Sequence, residues 1–152
     1  VAKTVNLGEF SKELGDFKDK ALEDIKVAFA KGAVSSIPNL VRNSPVDTGL
    51  YASSWDFTID EKRMILGNFA PHAPIIERGA RPFTPPITPL LAWAKRVLKD
   101  SSQPPRYSEK VWALARGVQQ KIQREGMKPR RILEKNLPMI IENIKQEIAK
   151  IG

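Results

Sequence analysis

Bond-making chemistry in this chain would have to begin at His72, the only histidine. An imidazole titrates near neutrality and serves as a general base when a nucleophile and an orienting acid stand beside it. Ser53 or Ser54 with Asp47 would complete such a triad, but no nucleophile-elbow motif accompanies them. The residues therefore favour a surface or interface histidine. Asp56, Asp60 and Glu77 offer carboxylates for paired acid–base work. Asp56 and Asp60, however, share the strand face opposite Trp55, Phe57 and Ile59, and such a face is usually solvated. With no cysteine and one histidine, thiolate and histidine-cluster metal sites are excluded. No glycine-rich phosphate loop, HExxH or EF-hand pattern occurs, and Gly49, Gly67 and Gly79 stand isolated. Trp55, Trp93 and Trp112 each fall on an apolar face and read as core anchors, not as platforms for stacking bases. The expectation is a chain that is not an enzyme and takes no cofactor or metal.

The elements that would position these residues follow from periodicity. Phe10, Leu14, Phe17, Ala21, Ile25 and Ala28 recur at spacings of three and four, predicting a helix over about Glu9 to Val41. Gly32 and Pro38 predict a kink or break in its later turns. Asn43 to Gly49 ends it, with Asp47 and Thr48 placed to cap a following turn. Ser53 to Asp60 alternates as a strand, Asp60-Glu61-Lys62-Arg63 turns the chain, and Met64 to Phe69 returns as the second strand of a hairpin. Ala73 to Gly79 predicts one short helical turn; Ala80 to Thr88 must be largely extended, because its prolines forbid a regular ladder. That stretch, with Phe83 and Ile87, suits an arm or loop that packs on something. Further helices are predicted over Pro89 to Lys99, from the Ser108 cap to about Glu125 with Gly126 as the stop, and over about Ile132 to Ile151 with a break near Asn136 before Pro138. The fold class is α+β: a long N-terminal helix, a small antiparallel β-hairpin, and several C-terminal helices.

The length of 152 residues fits one domain, 1–152. No apolar run approaches the roughly 20 residues that span a membrane, and Val1-Ala2-Lys3-Thr4 lacks the apolar stretch of a secretory signal. The expectation is neither export nor membrane insertion. The formal charge of +8 is uneven: residues 1–60 carry −2 and residues 61–152 carry +10. Such asymmetry suggests a polyanion or an acidic protein surface beside the second half, although a solvated basic surface needs no partner at all.

Three blocks carry a resemblance. The first is Ser44-Pro45-Val46-Asp47-Thr48-Gly49, running into Leu50-Tyr51-Ala52-Ser53-Ser54-Trp55. The second is Gly67-Asn68 followed by Ala70-Pro71-His72-Ala73-Pro74-Ile75-Ile76-Glu77-Arg78-Gly79. The third is Arg81-Pro82-Phe83 with the later Lys128-Pro129-Arg130-Arg131-Ile132-Leu133. Together they resemble the neck or tail-completion family of tailed bacteriophages, the head–tail joining or minor tail proteins. Leu50 and Tyr51 replace a usual basic–Leu pair, Phe69 stands where Tyr is common, and the third block lacks its usual aromatic.

The resemblance implies a structural virion protein at the head–tail junction, assembled in the host cytoplasm as a homo-oligomeric ring around the DNA channel. Its implied partners are copies of itself, the portal or connector, the tail tube or tail terminator, and passing double-stranded DNA held without sequence preference. Pro45, Asp47, Thr48, Gly49, Glu77, Gly79, Pro82 and Phe83 match the motifs, and a helical insertion falls at about 87–126. Candidates for facing the channel or an acidic neighbour are Lys95, Arg96, Lys99, Arg116, Lys121, Arg124, Lys128, Arg130 and Arg131. The alternative is a sequence-independent nucleic-acid-binding protein, favoured by charge.

Overall fold

A computed structural model describes residues 6–60 and 62–152. Val1 to Thr4, the side chain of Phe10 and the turn residue Glu61 lie outside the described residues. The chain is α+β, with six helices and one two-stranded antiparallel sheet among the described residues. It divides into two compact units. Unit one comprises Val1–Ser44, Ala52–Phe69 and Leu133–Gly152; unit two comprises Pro45–Tyr51 and Ala70–Ile132.

Unit one is built on α1 (Leu7–Arg42), opened by Asn6, whose side chain accepts a hydrogen bond from the Gly8 N–H. The expected break at Gly32 and Pro38 is absent: the helix is continuous across both. Gly32 is a packing residue. A Cβ there would lie 2.6 Å from Ile144 Cγ1 and 2.7 Å from Ile144 Cα, so its bareness lets α6 (Ile132–Ile148) approach closely. The expected break before Pro138 is likewise absent. Both prolines are exposed, and packed residues flank each of them: Ser36 and Leu40 around Pro38, Asn136 and Ile140 around Pro138. Helix stability comes mainly from tertiary packing, which here outweighs the roughly 3 kcal/mol a proline costs in a helix interior.

The α1–α6 seam is antiparallel and partly polar. Asn43 Nδ2 donates to Asn136 Oδ1 at 2.9 Å, and Asn143 Nδ2 donates to Ser36 Oγ at 2.9 Å. Ala28, Ala33, Leu40 and Ile140 are buried. β1 (Trp55–Ile59) pairs with β2 (Met64–Asn68), in a register running from Trp55 opposite Asn68 to Ile59 opposite Met64. Asp60 shapes the turn by accepting from the Lys62 and Arg63 N–H groups and from Arg63 Nε. Those bonds, the Lys62 N–H first, hold its carboxyl below the usual range. The buried Trp55 ties the hairpin to the end of α1: its indole N–H donates to Ser44 Oγ at 2.7 Å, and that hydroxyl donates to the Leu40 carbonyl at 2.7 Å.

In unit two, α4 (Ile87–Leu98) packs on α5 (Glu109–Glu125) through Leu91, Ala94, Val111 and Ala115. Helix α4 begins two residues earlier than the sequence predicts, because Pro89 sits in the first turn, where its missing N–H has no intrahelical partner to lose. Ser108 caps α5 as expected, accepting from the Val111 N–H and donating to Asp100. Before them come Leu50 and Tyr51, which open the single turn α2 (Leu50–Ser53), and α3 (Ala73–Arg78), closed by Gly79.

Candidate functional site

Part of each motif block in unit two meets at α3. Gly49, with φ of 82°, occupies left-handed backbone that glycine adopts without strain, and the chain turns there into Tyr51. Thr48 Oγ1 lies 3.4 Å from the Leu50 N–H and helps cap that turn. Asp47 does not cap as expected. It takes a two-pronged bond from Arg96, with Nε at 2.8 Å and Nη2 at 2.5 Å. The bond from Arg96 lowers the Asp47 carboxyl below 3.8, against a smaller opposing effect of burial. Asp47 is thereby a tether between the motif loop and α4.

Tyr51 is buried, and its hydroxyl donates to Glu77 Oε1 at 2.5 Å. Burial first, then the hydrogen bond and charge of Glu77, push the phenol well above its ordinary value; Arg130 opposes them. His72, just before α3, stands with its ring centroid 6.0 Å from that of Tyr51 in a tilted arrangement. The expected short turn is thus present as α3, and it carries Glu77 to Tyr51.

The third block reaches the same place. Ala80 and Met127 exchange backbone hydrogen bonds of 2.9 and 2.8 Å, Arg130 N–H donates to the Ile76 carbonyl, and Arg131 N–H donates to that of Glu77. Gly79 and Gly126, both with positive φ, flank this clasp. A Cβ on either would fall within 2.3 Å of a carbonyl oxygen, that of Met127 or that of Ala80. The segment between them leaves and returns through one point. Pro85 within it is buried, and its carbonyl accepts from Gln119 Nε2 at 2.8 Å, so the proline-rich stretch is a connection packed on its own unit. Pro82 and Phe83 are exposed, and Pro45 is half-buried.

The cations divide by what holds them. Arg96 is bound to Asp47, and Lys95 Nζ donates to Gln103 at 3.2 Å. Arg130 belongs to the Tyr51–Glu77 group through its charge, and Arg131 to the clasp through its backbone. Arg116 lies over the Trp112 ring, 5.1 Å from its centroid. Lys99, Lys121, Arg124 and Lys128 are exposed, as is Lys110 on α5, which sequence reasoning did not single out. The helical periodicity that marks Val111 and Ala115 as inward would have placed Lys110 outward with them.

Charge segregates by unit. Unit two holds 13 Lys/Arg against 5 Asp/Glu, a surplus of +8, so unit one is formally neutral. The carboxylates weighed for acid–base work are engaged separately: Asp60 in the hairpin turn of unit one and Glu77 with Tyr51 in unit two. Among the described residues no group of three acidic or histidine side chains is arranged to hold a metal, and no described helix is long and apolar enough to cross a membrane. Compared with protein-family models, with curated proteins and with solved structures, the chain finds no match.

Proposed function

We propose that the chain is a structural protein of a tailed-phage virion, a subunit of the ring at the head–tail junction through which DNA passes. The observation that carries this reading is the convergence of the three motif blocks. Tyr51 from the first, Glu77 and Gly79 from the second, and Arg130 and Arg131 from the third meet around α3 through hydrogen bonds and a glycine clasp. Residues scattered over eighty positions are used to brace a loop, and the braced loop presents apolar side chains outward: Val46 is 77% exposed and Leu50 50%. A rigid loop with an exposed apolar tip suits contact with a neighbouring subunit, because little ordering entropy remains to be lost on binding. The long helix α1 supports the reading further, with Leu14 58% and Phe17 71% exposed on the stripe that α6 covers only later in the helix.

Electron microscopy of the purified protein, alone and with a phage connector or tail tube, tests the reading. The expected outcome is a closed ring with an opening that admits a DNA duplex, since heterologous contacts whose rotation closes generate rings. A particle that stays monomeric under both conditions would count against it. If that monomer bound duplex DNA with a steep salt dependence, the +8 surplus of unit two would instead favour a sequence-independent nucleic-acid-binding protein.

A further inference from the structure

We propose that the outward face of α5 is the surface that grips double-stranded DNA through its phosphates; this rests on the reading of the chain as a subunit surrounding DNA. The inner face of α5 is committed to the core by Val111 and Ala115. Lys110, Arg116, Lys121 and Arg124 are exposed on the other side, around the small residues Ala113 and Gly117. Two carboxylates accompany them. Glu109 is in the first turn, where it complements the helix dipole, and Glu125 is at the end, 3.7 Å from Arg124. From Lys110 to Arg124 the helix rises about 21 Å, a length over which a duplex carries about twelve phosphate charges.

Three features choose duplex DNA over other polyanions. A protein partner would need an apolar centre to bury, and the exposed residues between the cations are Ala113, Gly117 and Gln120, which supply one methyl group, a bare glycine and a polar amide. Unpaired bases would need an exposed aromatic platform. The Trp112 ring is instead covered by the Arg116 guanidinium and packed against the Leu91–Ala115 cluster. The cations are also held less firmly than Arg96, which Asp47 grips with two bonds: Arg116 lies over an uncharged ring, and Arg124 meets Glu125 at 3.7 Å with its side chain largely exposed.

The test is binding of a short mixed-sequence DNA duplex, followed by fluorescence anisotropy across a salt series. Four phosphate contacts predict a log–log slope of about −3.6, or about a hundredfold loss between 50 and 200 mM salt. The variant carrying Lys110→Gln, Arg116→Gln, Lys121→Gln and Arg124→Gln is expected to lose most of that slope while its circular dichroism is unchanged. A charge-matched variant carrying Arg78→Gln, Arg81→Gln, Lys99→Gln and Arg106→Gln is expected to keep it. The proposal is overturned if the unaltered chain does not bind the duplex, if the two variants lose the slope equally, or if poly-glutamate binds more tightly than DNA at equal charge. Ring formation, scored separately by microscopy, distinguishes failure of this assignment from failure of the assembly reading: rings without a duplex-dependent slope remove only the DNA contact.

Discussion

Tyr51 is the residue on which the motif site turns. The residue is 3% exposed, and its hydroxyl donates to a carboxylate, a bond stronger than one between neutral groups. Replacement by phenylalanine keeps the ring and removes the donor to Glu77. The expected cost is about 1.5–3 kcal/mol, read as a lower denaturation midpoint at unchanged m-value. The pH dependence has a definite sign. Because the folded-state pKa is raised above 10.0, the folded chain holds the phenolic proton more tightly than the unfolded chain. The contribution is therefore complete below pH 10 and is lost as pH rises from there towards the folded value. The stability difference between the native chain and Tyr51→Phe should be flat from neutrality to about pH 9 and shrink above pH 10. A difference that grew with alkalinity would mean that Tyr51 is not held in its neutral form by burial and Glu77. None of this was legible in the sequence, where Tyr51 and Glu77 are separated by 26 positions and nothing local marks them as partners.

At the scale of elements, what depends on neighbours within a few residues was readable and what depends on distant ones was not. The hairpin, the Ser108 cap and the Gly126 stop follow from alternation and from side chains that satisfy backbone groups nearby. Asp47 looked like a cap because its partner, Arg96, lies 49 positions away. Gly32 looked like a weak point for the same reason: its role is set by Ile144, on another helix. This reverses the usual effect of a glycine substitution. Gly117→Ala, in the exposed interior of α5 with nothing within 4 Å of its added methyl, should stabilise by about 0.5–1 kcal/mol through lost chain entropy. Gly32→Ala gains the same propensity but drives its methyl into the Ile144 backbone, and should destabilise by about 1–3 kcal/mol. Thermal melts of the two variants, followed by circular dichroism, should move in opposite directions. Equal upward shifts would show that α1 and α6 are not packed backbone to backbone at Gly32.

On the scale of the whole molecule, the net positive charge and the uncovered apolar stripe of α1 occupy different units. The +8 surplus sits in unit two, where copies brought together would repel unless a polyanion lay between them. Unit one is formally neutral and carries the uncovered stretch of the α1 stripe, Leu14, Phe17 and Ile25, flanked by Lys12, Lys18 and Lys20 mixed with Glu13, Asp16 and Asp19. Mixed charge around an apolar stripe suits contact between copies of the same chain, since neither sign dominates. Folding gains little from Leu14 and Phe17, which are largely solvent-exposed. The double variant Leu14→Ser, Phe17→Ser should therefore melt within about 0.5 kcal/mol of the native chain. Leu40→Ala, by contrast, empties a fully buried position and should cost about 2–5 kcal/mol. If copies meet through this stripe, each side chain has roughly 1–2 kcal/mol of apolar burial still to gain, and the double variant should weaken self-association by about thirty- to a thousandfold. Sedimentation velocity across a concentration series reads that shift independently of the melt. A double variant that assembled as tightly as the native chain would remove α1 from the contact between subunits and leave the Val46–Leu50 loop as the surface to test next.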